Sequence, residues 1–397
     1  MTDALVLLDD ARADAFAPFA LTRPISTLRA GATTIEARWR RLTGIGAASF
    51  VCAPALATFD EAGDRLRAAP ATLAAGTIVA LSRFAPALGL PFDEHATRWE
   101  ADARIVAVRL ARDTSTAALR GEADALASFA AEGRTAAIIG WWLDRPWDAI
   151  RQLNAMLIAD LPALSDSADA LVSSAEVVVL GEHPVWVEPG AYVEPFVVFD
   201  TTSGPVLLRS GARVHAFTRI DGPTIIGRDS HLLGGRIRAS SIGPHCRVHG
   251  ELSQSILCGY ANKGHEGFVG HSILGRWVNL GAGTITSNLK NSYGTVSAYT
   301  PEGMLSTGMQ FLGALIGDHT KCAIGTRLMT GTVLGAGTNV FGDASPARAT
   351  PPFCWGADGR VEIDRFLEVA VRVMARRDRG LSEGMRTVLR AAHAASA

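Results

Sequence analysis

The stretch VLLRSGARVHAFTRIDGPTIIGRDSHL, residues 206–232, has an apolar residue at every sixth position. These positions are Leu208, Val214, Ile220, Ile226 and Leu232. A period of six is typical of a parallel β-helix, in which each flat face contributes one inward side chain per six residues. A β-sandwich, the main alternative, alternates with period two and turns about every 8–12 residues. The stretch therefore predicts a parallel β-helix in the C-terminal half of the chain.

The same period continues in two later registers. One consists of Ile256, Phe268, Leu274 and Leu280, with Asn262 interrupting it. The other consists of Ile316, Cys322, Leu328, Leu334 and Val340. Glycine follows several of these residues, and it tolerates the dihedral angles needed at the corners of a coil. The breaks in the period near residues 233–241 and 287–314 predict loops that leave the coil.

An α/β domain is predicted before the β-helix and a helical tail after it. Residues 1–145 alternate apolar runs with Ala-rich segments, which indicates a mainly parallel sheet with helices. The predicted strands are Leu5–Leu8, Ile78–Leu81, Ile105–Leu110 and Ala136–Ile139, and the predicted helices are Thr33–Leu42 and Ser115–Ala131. Residues 146–180 are expected to hold a connector helix, residues 181–345 the β-helix, and residues 346–397 a helical tail.

The composition and charge of the chain argue against nucleic-acid binding and against a membrane span. The 397 residues carry a formal net charge of −1 and no long basic run, which argues against nucleic-acid binding. No run of about 18 apolar residues predicts a membrane span, and the N-terminus has no signal-peptide pattern. The five cysteines form no CxxC pair, so we expect a reduced, cytoplasmic protein without disulfides or a structural zinc site.

Two motifs in the β-helix resemble a known family. They are HEGFVG at residues 265–270 and VNLGAGTITSN at residues 278–288. They resemble the acetyltransferase domain of the bifunctional N-acetylglucosamine-1-phosphate uridyltransferase/glucosamine-1-phosphate acetyltransferase family. The resemblance implies a left-handed coil, which departs from the usual right-handed crossover of parallel strands. It also implies a homotrimer with acyl-transfer sites in the clefts between β-helices, and acetyl-CoA as cosubstrate.

The N-terminal part resembles a divergent bacterial subgroup of sugar nucleotidyltransferases. The resemblance rests on the apolar strand with paired aspartates, LVLLDD at residues 5–10, on Thr22-Arg23-Pro24 and on Pro146-Trp147-Asp148. Together, the two resemblances cover most of the chain. They imply an α/β nucleotidyltransferase-like domain followed by a left-handed β-helix acyltransferase domain.

Acyl transfer to a sugar amine requires a base, donors for the developing oxyanion, and positive charge for the sugar phosphate. His265 is the candidate general base, because imidazole exchanges protons near neutral pH and the residue matches the family's catalytic histidine. By the same resemblance, Asn279 and Asn288 fall on the family's substrate- and cofactor-contacting asparagines. An asparagine can instead form a ladder in a β-helix or cap a turn. Phe268 stands where the family often has tyrosine.

Lysine is scarce, and Lys263, Lys290 and Lys321 all lie in the β-helix region. We take Lys263 and Lys290 as candidates for the phosphates of the sugar or of coenzyme A, with solvated surface lysines as the alternative. A zinc site of the β-helical carbonic anhydrase kind would need two histidines five residues apart. His245 and His249 are four apart, and His265 and His271 are six apart, so neither pair matches.

The N-terminal domain lacks the glycine-rich loop that cradles nucleotide phosphates, because no glycine precedes Gly31. Arg12 and Arg23 are candidates to supply positive charge in its place, and Asp9 or Asp10 is a candidate ligand for Mg²⁺. The alternative is that the aspartates cap a turn and the arginines form surface ion pairs.

The resemblance implies an acetyl-CoA-dependent N-acetyltransferase acting on an amino-sugar 1-phosphate, with glucosamine 1-phosphate as the first candidate. Uridylyl transfer to a sugar 1-phosphate by the first domain is a second activity, and the setting would be UDP-N-acetylglucosamine or other sugar-nucleotide biosynthesis. Two alternatives stay open. One is a nucleotidyltransferase whose β-helix only trimerises it, and the other is a non-catalytic protein that binds sugar nucleotides.

Overall fold

The protein consists of an α/β sheet domain, a parallel β-helix packed beside it, and a helical tail that contacts both. The structure is a computed structural model, and it describes residues 4–61, 66–121, 123–357 and 359–396. Within these ranges no helix has the length and apolar character needed to cross a bilayer.

The sheet domain is built on a mixed seven-stranded sheet. Its strands in spatial order are Thr135–Ala137, Arg98–Ala101, Arg104–Arg109, Ile78–Leu81, Leu5–Leu8, Ala48–Val51 and Leu66–Ala68. Leu5–Leu8 is central and pairs in parallel with a strand on each side. Its residues alternate between two separate apolar clusters, one on each face of the sheet. A strand covered on both faces is continuously apolar, which explains why this run could be recognised in the sequence.

Helix α1 (Ile35–Thr43) confirms the first predicted helix. It begins where the Thr34 side chain accepts a hydrogen bond from the Ala37 amide and ends at Gly44, whose φ is +73°. The second predicted helix, Ser115–Ala131, is wrong as a continuous element. The chain forms only α2 (Thr116–Leu119) and a 3₁₀ helix, Ala123–Phe129. Gly121 lies between them, and its carbonyl accepts from the Ala11 amide instead of continuing a helix.

Short elements complete the sheet domain. The three two-stranded pairs are Thr72–Leu73 with Thr114–Ser115, Phe84–Pro86 with Gly140–Trp142, and Arg29–Ala30 with Thr33–Thr34. The other 3₁₀ helices are Ala13–Phe16, Ile25–Thr27 and Pro54–Leu56. The connector contains α3 (Asp148–Arg151) and α4 (Leu153–Leu164). The Arg38 guanidinium pairs with the Asp160 carboxylate, and both are fully buried between α1 and α4.

One face of the β-helix carries a single ten-stranded ladder. Its strands are Asp169–Ala170, Val185–Val187, Val206–Leu208, Thr224–Ile226, Ser241–Ile242, Ile256–Leu257, Ile273–Leu274, Ala314–Ile316, Thr332–Leu334 and Ala349–Thr350. We call this the first face. All of its pairings from Val185–Val187 onward are parallel.

The other two faces share a fourteen-stranded sheet that wraps around a corner. Its strands are Val177–Leu180, Tyr192–Val193, Val197–Asp200, Arg213–Val214, Thr218–Asp221, His231–Arg238, Arg247–Ser253, Asn262–Lys263, Phe268–Gly270, Asn279–Leu280, Lys321–Cys322, Asn339–Val340, Cys354–Trp355 and Gly359–Arg360. Ile285–Thr286 and Arg327–Leu328 form a separate parallel pair. We call the face that holds Asn262, Asn279 and Lys321 the second face, and the face that holds Phe268 and Ile285 the third. From the sequence we expected the β-helix to span residues 181–345. Its strands begin before residue 181 and continue past residue 345.

The inward side chains confirm two of the three predicted registers. All residues of the 208–232 and 316–340 registers lie in one buried cluster inside the coil. The middle register is partly wrong. On the third face Phe268 points outward and Val269 points inward. On the first face Ile256 points outward and Leu257 points inward. Both are buried, since the first face packs against the sheet domain, so apolar character alone could not separate inside from outside. Lys263 occupies the next inward position, beside Val248 in the register of the strands.

Only one of the two predicted loops leaves the coil. Residues 287–313 form an excursion that contains the hairpin Ser297–Thr300 and Gly303–Ser306. Val296 and Ala298 of this excursion are buried in the core shared with the sheet domain. Residues 233–241 do not form a loop. His231–Arg238 is a strand, and a shift in register between Leu232 and Gly235 absorbs the break in the period.

The first face of the β-helix and the sheet domain share one apolar core. Its outward residues from the coil are Leu207, Ile225, Ile256, Ile273, Leu315 and Val333. Full burial of an aliphatic side chain of this kind contributes about 1.5–3 kcal/mol, so this contact is a substantial interface.

Aromatic rings line the corner between the first and second faces. His245 stacks on Tyr260 at 4.7 Å between ring centroids, and Tyr260 stacks on Trp277 at 4.1 Å. All three residues have a positive φ, an uncommon conformation outside glycine. Helix α5 (Ile363–Ala375) covers this corner through Met374, and α6 (Glu383–Ala395) follows it.

The tail therefore joins the two domains, and it consists of two helices. Phe366 of α5 packs on Phe353 of the last coil at 5.1 Å. At the start of α6, the Ser382 hydroxyl donates to Asp60, and the Gly384 carbonyl accepts from the Thr58 hydroxyl.

Candidate functional site

His265 lies at the corner between the second and third faces. It follows the strand Asn262–Lys263 and precedes Gly267, whose φ is +133°. Its side chain is exposed. Within the part of the chain that the structure describes, no side chain forms a hydrogen bond or an ion pair with its imidazole. The imidazole is therefore accessible to a substrate and free to accept a proton.

Lys263 does not have the role expected from the sequence. It is 2% exposed and points into the coil. Its Nζ donates to the carbonyl of His249 at 2.7 Å and to the carbonyl of His265. Burial lowers the pKa of this amine to about 8. Lys263 thus braces the loop that carries His265 and is not available to a phosphate.

Phe268 and Asn288 lie together at the far end of the third face, around Gly270. A Cβ atom at Gly270 would lie 2.4 Å from Cζ of Phe268 and 2.7 Å from Nδ2 of Asn288. The Asn288 Nδ2 atom is 2.8 Å from Nδ1 of His271, and His271 stacks on Phe311 with 5.2 Å between ring centroids. Burial lowers the pKa of His271 to about 4, so its ring is neutral near pH 7.

His271 and Phe311 belong to this cluster, but the sequence did not single them out for it. In the sequence, His271 stands out only as one of two histidines with a spacing close to that of a zinc site. Phe311 belongs to the excursion that lacks the six-residue period. The detectable signal was the position of His271 directly after Gly270, at the end of the HEGFVG motif.

Asn279 lies on the second face, away from the Phe268 cluster in the fold. Its Oδ1 accepts from Nδ2 of Asn262 at 2.8 Å, so the expected asparagine ladder is present. Lys321 is the partner of Asn279 in the next coil. The structure therefore brings Phe268 and Asn288 together, while Asn279 and His265 lie at other positions around the coil.

Lys290 lies at the start of the excursion and is half-buried. Its Nζ donates to the Thr295 carbonyl at 2.5 Å. This single contact is within the loop, so Lys290 stays a candidate for a phosphate without further support from its surroundings.

The paired aspartates of the sheet domain are buried at the end of Leu5–Leu8. One oxygen of Asp9 accepts from the Ile25 amide at 3.2 Å, and the other is buried without a partner. Burial raises the pKa of Asp9 to about 7. Asp10 accepts from Nε of Arg83 at 2.8 Å. A cation at Asp10 would compete with this guanidinium, and Asp9 is enclosed, so the pair does not fit a hydrated Mg²⁺ ion.

The loop after Leu5–Leu8 has its amides bonded within the domain. The Asp9 amide donates to Val51, the Ala11 amide to Gly121, and the Arg12 and Ala13 amides to Asp10. A phosphate cradle requires free amides that converge on the ligand. These four amides are not free, which agrees with the missing glycines. The Arg12 side chain is exposed.

Arg23 is part of a buried network between the two domains, so its expected contact with nucleotide phosphates is corrected. Its guanidinium donates to Asp318 of the β-helix at 2.7 Å and to Glu61 of the sheet domain at 3.0 Å. The Thr22 hydroxyl also donates to Asp318, at 2.8 Å. Glu61 further pairs with Arg276 at 2.9 Å. We call Arg23, Glu61, Arg276 and Asp318 the interdomain network.

The arginines of the interdomain network stabilise the ionised form of the Glu61 carboxylate. Burial alone would raise the pKa of Glu61, but the charges of Arg276 and Arg23 outweigh it and lower the pKa to about 2. Both carboxylates of the network are therefore matched by arginines. Among the described residues, no group of three or more His, Cys, Asp or Glu side chains is arranged to hold a metal ion.

Comparison with known proteins gives one family match and several similar relatives. Residues 5–169 match the model of the sugar nucleotidyl transferase family. A bifunctional sugar-1-phosphate nucleotidylyltransferase/acetyltransferase from Sulfurisphaera tokodaii is 30% identical over 91 residues, which are 23% of this chain and 23% of that protein. The bifunctional protein GlmU from Bordetella parapertussis is 27% identical over 224 residues, covering 52% of this chain and 44% of that protein.

The chain thus spans less than half the length of these two curated relatives in the regions that match. The family match covers the sheet domain and the connector, and the β-helix follows it. The chain is therefore similar to bifunctional sugar-1-phosphate nucleotidyltransferase/acetyltransferases, and its residues 5–169 match the sugar nucleotidyl transferase family model.

Proposed function

We propose that this protein transfers the acetyl group of acetyl-CoA to the amine of an amino-sugar 1-phosphate, with glucosamine 1-phosphate as the first substrate to test. The observation that carries the proposal is the exposed, unpaired imidazole of His265 at a corner of the coil, on a loop braced by Lys263. The two relatives named above, one of them named as an acetyltransferase, support the same chemistry.

The proposed reaction needs one proton acceptor. The His265 imidazole takes a proton from the sugar ammonium, and the free amine attacks the thioester carbonyl carbon. The C–N bond forms as the C–S bond breaks, the nitrogen loses its second proton to give the amide, and the coenzyme thiolate takes up that proton and leaves as a thiol. Donors must stabilise the oxyanion that forms on the carbonyl oxygen, and asparagine amides can serve this purpose. Asn288 is the candidate donor in this chain, and Asn279 is a candidate contact for the substrate or the cofactor.

We also propose that the working site is assembled between copies of the chain in a homotrimer. Asn279 lies on the second face and Asn288 lies after the third, so a single coil does not direct both toward one ligand. Two β-helices side by side could present these faces to a common groove. Cys52, Cys246, Cys258 and Cys322 are free thiols, and this supports the proposal of a reducing, cytoplasmic location.

The direct test is turnover by the purified wild-type chain. Acetyl-CoA and glucosamine 1-phosphate should release coenzyme A thiol, and mass spectrometry should detect N-acetylglucosamine 1-phosphate. Glucosamine without phosphate and N-acetylglucosamine 1-phosphate are the negative controls. The proposal fails if thiol release is no faster with any amino-sugar phosphate than with buffer.

A second candidate, uridylyl transfer by the sheet domain, is favoured by the family match over residues 5–169. The bonded amides after Leu5–Leu8 and the engagement of Arg23 in the interdomain network weigh against it. Release of pyrophosphate from UTP and a sugar 1-phosphate in the presence of Mg²⁺ would establish it. Calorimetric binding of a sugar nucleotide without turnover of either kind would instead favour a non-catalytic binding protein.

A further inference from the structure

A cavity of about 240 Å³ lies between the second face of the β-helix and the end of helix α5. We call it the α5 cavity. Its lining includes Asn262, Asn279 and Lys321 from the coil, and Arg376 and Arg377 from the tail. Pockets that enclose a drug-sized ligand have volumes of roughly 300–1,000 Å³. The α5 cavity is smaller, so it suits one end of a ligand rather than a whole coenzyme.

The three cationic side chains of the α5 cavity have no acidic partner. Within the described part of the chain, no carboxylate lies within 4.0 Å of Lys321, Arg376 or Arg377. Lys321 Nζ donates to the His319 carbonyl at 3.0 Å. The Nε atom of Arg377 is buried without a hydrogen-bond partner. Arg376 is exposed, whereas Lys321 and Arg377 are half-buried, and an anion in the cavity would offset the cost of burying these two cations without a counter-charge.

The cavity also offers an unpaired amide donor. The Oδ1 atom of Asn279 is used by Asn262, but no partner of its Nδ2 atom is found among the described contacts. Nδ2 can therefore donate to a ligand on the second face. Ionised acceptors form the strongest hydrogen bonds with such donors and with arginine.

Favourable contacts between basic residues and the C-terminus of α5 do not by themselves explain why three cationic side chains line the α5 cavity. Basic residues near a helix C-terminus interact favourably with the last carbonyls, which accounts for arginines after Ala375. Surface arginines of that kind keep their Nε in water, whereas Nε of Arg377 is enclosed. Lys321 belongs to the coil and lies far from α5 in the sequence, yet it points into the same cavity.

We propose that the α5 cavity binds a phosphate group of a phosphorylated ligand through Lys321, Arg376 and Arg377, with the Asn279 amide as a further donor. Two sources share this chemistry under the proposed function, on which the identity of the ligand rests. They are the 3′-phosphate of coenzyme A and the 1-phosphate of the sugar. Binding of the phosphate itself does not require that acyl transfer occurs.

The first measurement is calorimetric titration of the full chain with inorganic pyrophosphate at constant ionic strength, because salt screens such charges. The variant Arg376→Gln/Arg377→Gln should bind at least about ten-fold more weakly than wild type. Arg372→Gln is the matched control, since Arg372 lies on α5 and pairs with Glu368 in solvent. It should bind like wild type. Unchanged melting temperatures show that the variants are folded.

The second measurement separates the two sources with coenzyme A, 3′-dephospho-coenzyme A and glucosamine 1-phosphate. If the coenzyme's 3′-phosphate occupies the cavity, wild type should bind dephospho-coenzyme A as weakly as the double variant binds coenzyme A. If the sugar phosphate occupies the cavity, the double variant should bind glucosamine 1-phosphate more weakly than wild type does and should bind coenzyme A equally well. Equal affinities of wild type, the double variant and Arg372→Gln for all probes would overturn the proposal.

The outcome is independent of the acyl-transfer test. Suppose that the double variant binds pyrophosphate more weakly although the wild-type protein releases no thiol. That result would support the phosphate site and reject the proposed function. Turnover with glucosamine 1-phosphate that the double variant retains at an unchanged KM for both substrates would retain the function and reject the phosphate site.

Discussion

Single residues explain where sequence reasoning about the site succeeded and where it failed. The exposed position of His265 suits the role of proton acceptor proposed for it. Lys263 and Arg23 were expected to face phosphates, but both are buried. Long charged side chains are usually exposed, so a sequence gives no sign that two of them will bond to carbonyls or carboxylates inside the protein.

Asp9 predicts a pH dependence of stability. Burial raises the pKa of its carboxyl to about 7, so the folded state holds a proton that the unfolded chain loses near pH 3.8. Stability from this group is complete below pH 3.8 and falls as the pH rises through 7. Asp9→Asn cannot ionise, so it should be more stable than wild type at pH 8, by up to about 4 kcal/mol, with little difference at pH 4.

Urea unfolding of both proteins at the two pH values would measure this difference. Adding Mg²⁺ to wild type at pH 8 is the control for the metal role. A rise in stability that Asp9→Asn lacks would show that this carboxylate binds the ion, contrary to the fit inferred from its surroundings.

At the scale of elements, the six-residue period predicted the β-helix because each inward position must be apolar to close the coil. It failed at Ile256, where burial on both sides of the first face removes the contrast between inside and outside. It also failed at residues 233–241, where a bulged strand keeps the ladder intact although the spacing changes. A period detects regular coils, but it cannot distinguish a bulge from a loop.

Gly270 tests the packing of the third face. Gly270→Ala places a methyl group within 3 Å of Phe268 and Asn288, so one of them must move. We expect a loss of stability of about 1–3 kcal/mol, the usual cost of overpacking, and a loss of transferase activity. Gly294→Ala is the control, because the nearest atom to its added Cβ is 3.6 Å away.

Adding Phe268→Ala to Gly270→Ala should recover part of the lost stability, because the ring that meets the methyl group is gone. Thermal melts of the four proteins would show this. No recovery in the double variant would mean that the contact with Asn288, and not the ring of Phe268, limits this position.

At the scale of the whole molecule, the interdomain network links the sheet domain to the β-helix. Thr22 and Asp318 are 296 positions apart in the sequence, and no local pattern predicts that they meet. The family resemblance indicated a nucleotidyltransferase-like fold followed by a β-helix, as observed, but within Thr22-Arg23-Pro24 it made Arg23 a candidate for nucleotide phosphates. The structure instead uses this motif to hold the domains together.

Arg23→Met should weaken that link strongly. It leaves the buried Asp318 carboxylate without its arginine, and breaking a buried pair costs about 3–5 kcal/mol. Calorimetry should show a lower melting temperature or two separate transitions. Arg41→Met removes an exposed pair with Asp166 and should change stability by no more than about 1 kcal/mol. Similar effects of the two substitutions would mean that the network contributes little.

If His265 is the base for acyl transfer, its replacement should remove most of the transferase activity. The rate of thiol release from acetyl-CoA with glucosamine 1-phosphate should be compared for wild type, His265→Ala and His183→Ala, the last being another exposed histidine near the start of the β-helix. We expect His265→Ala to lose about 10²–10⁴-fold in kcat and His183→Ala to keep the wild-type rate. A His265→Ala protein with an unchanged kcat would exclude His265 as the base.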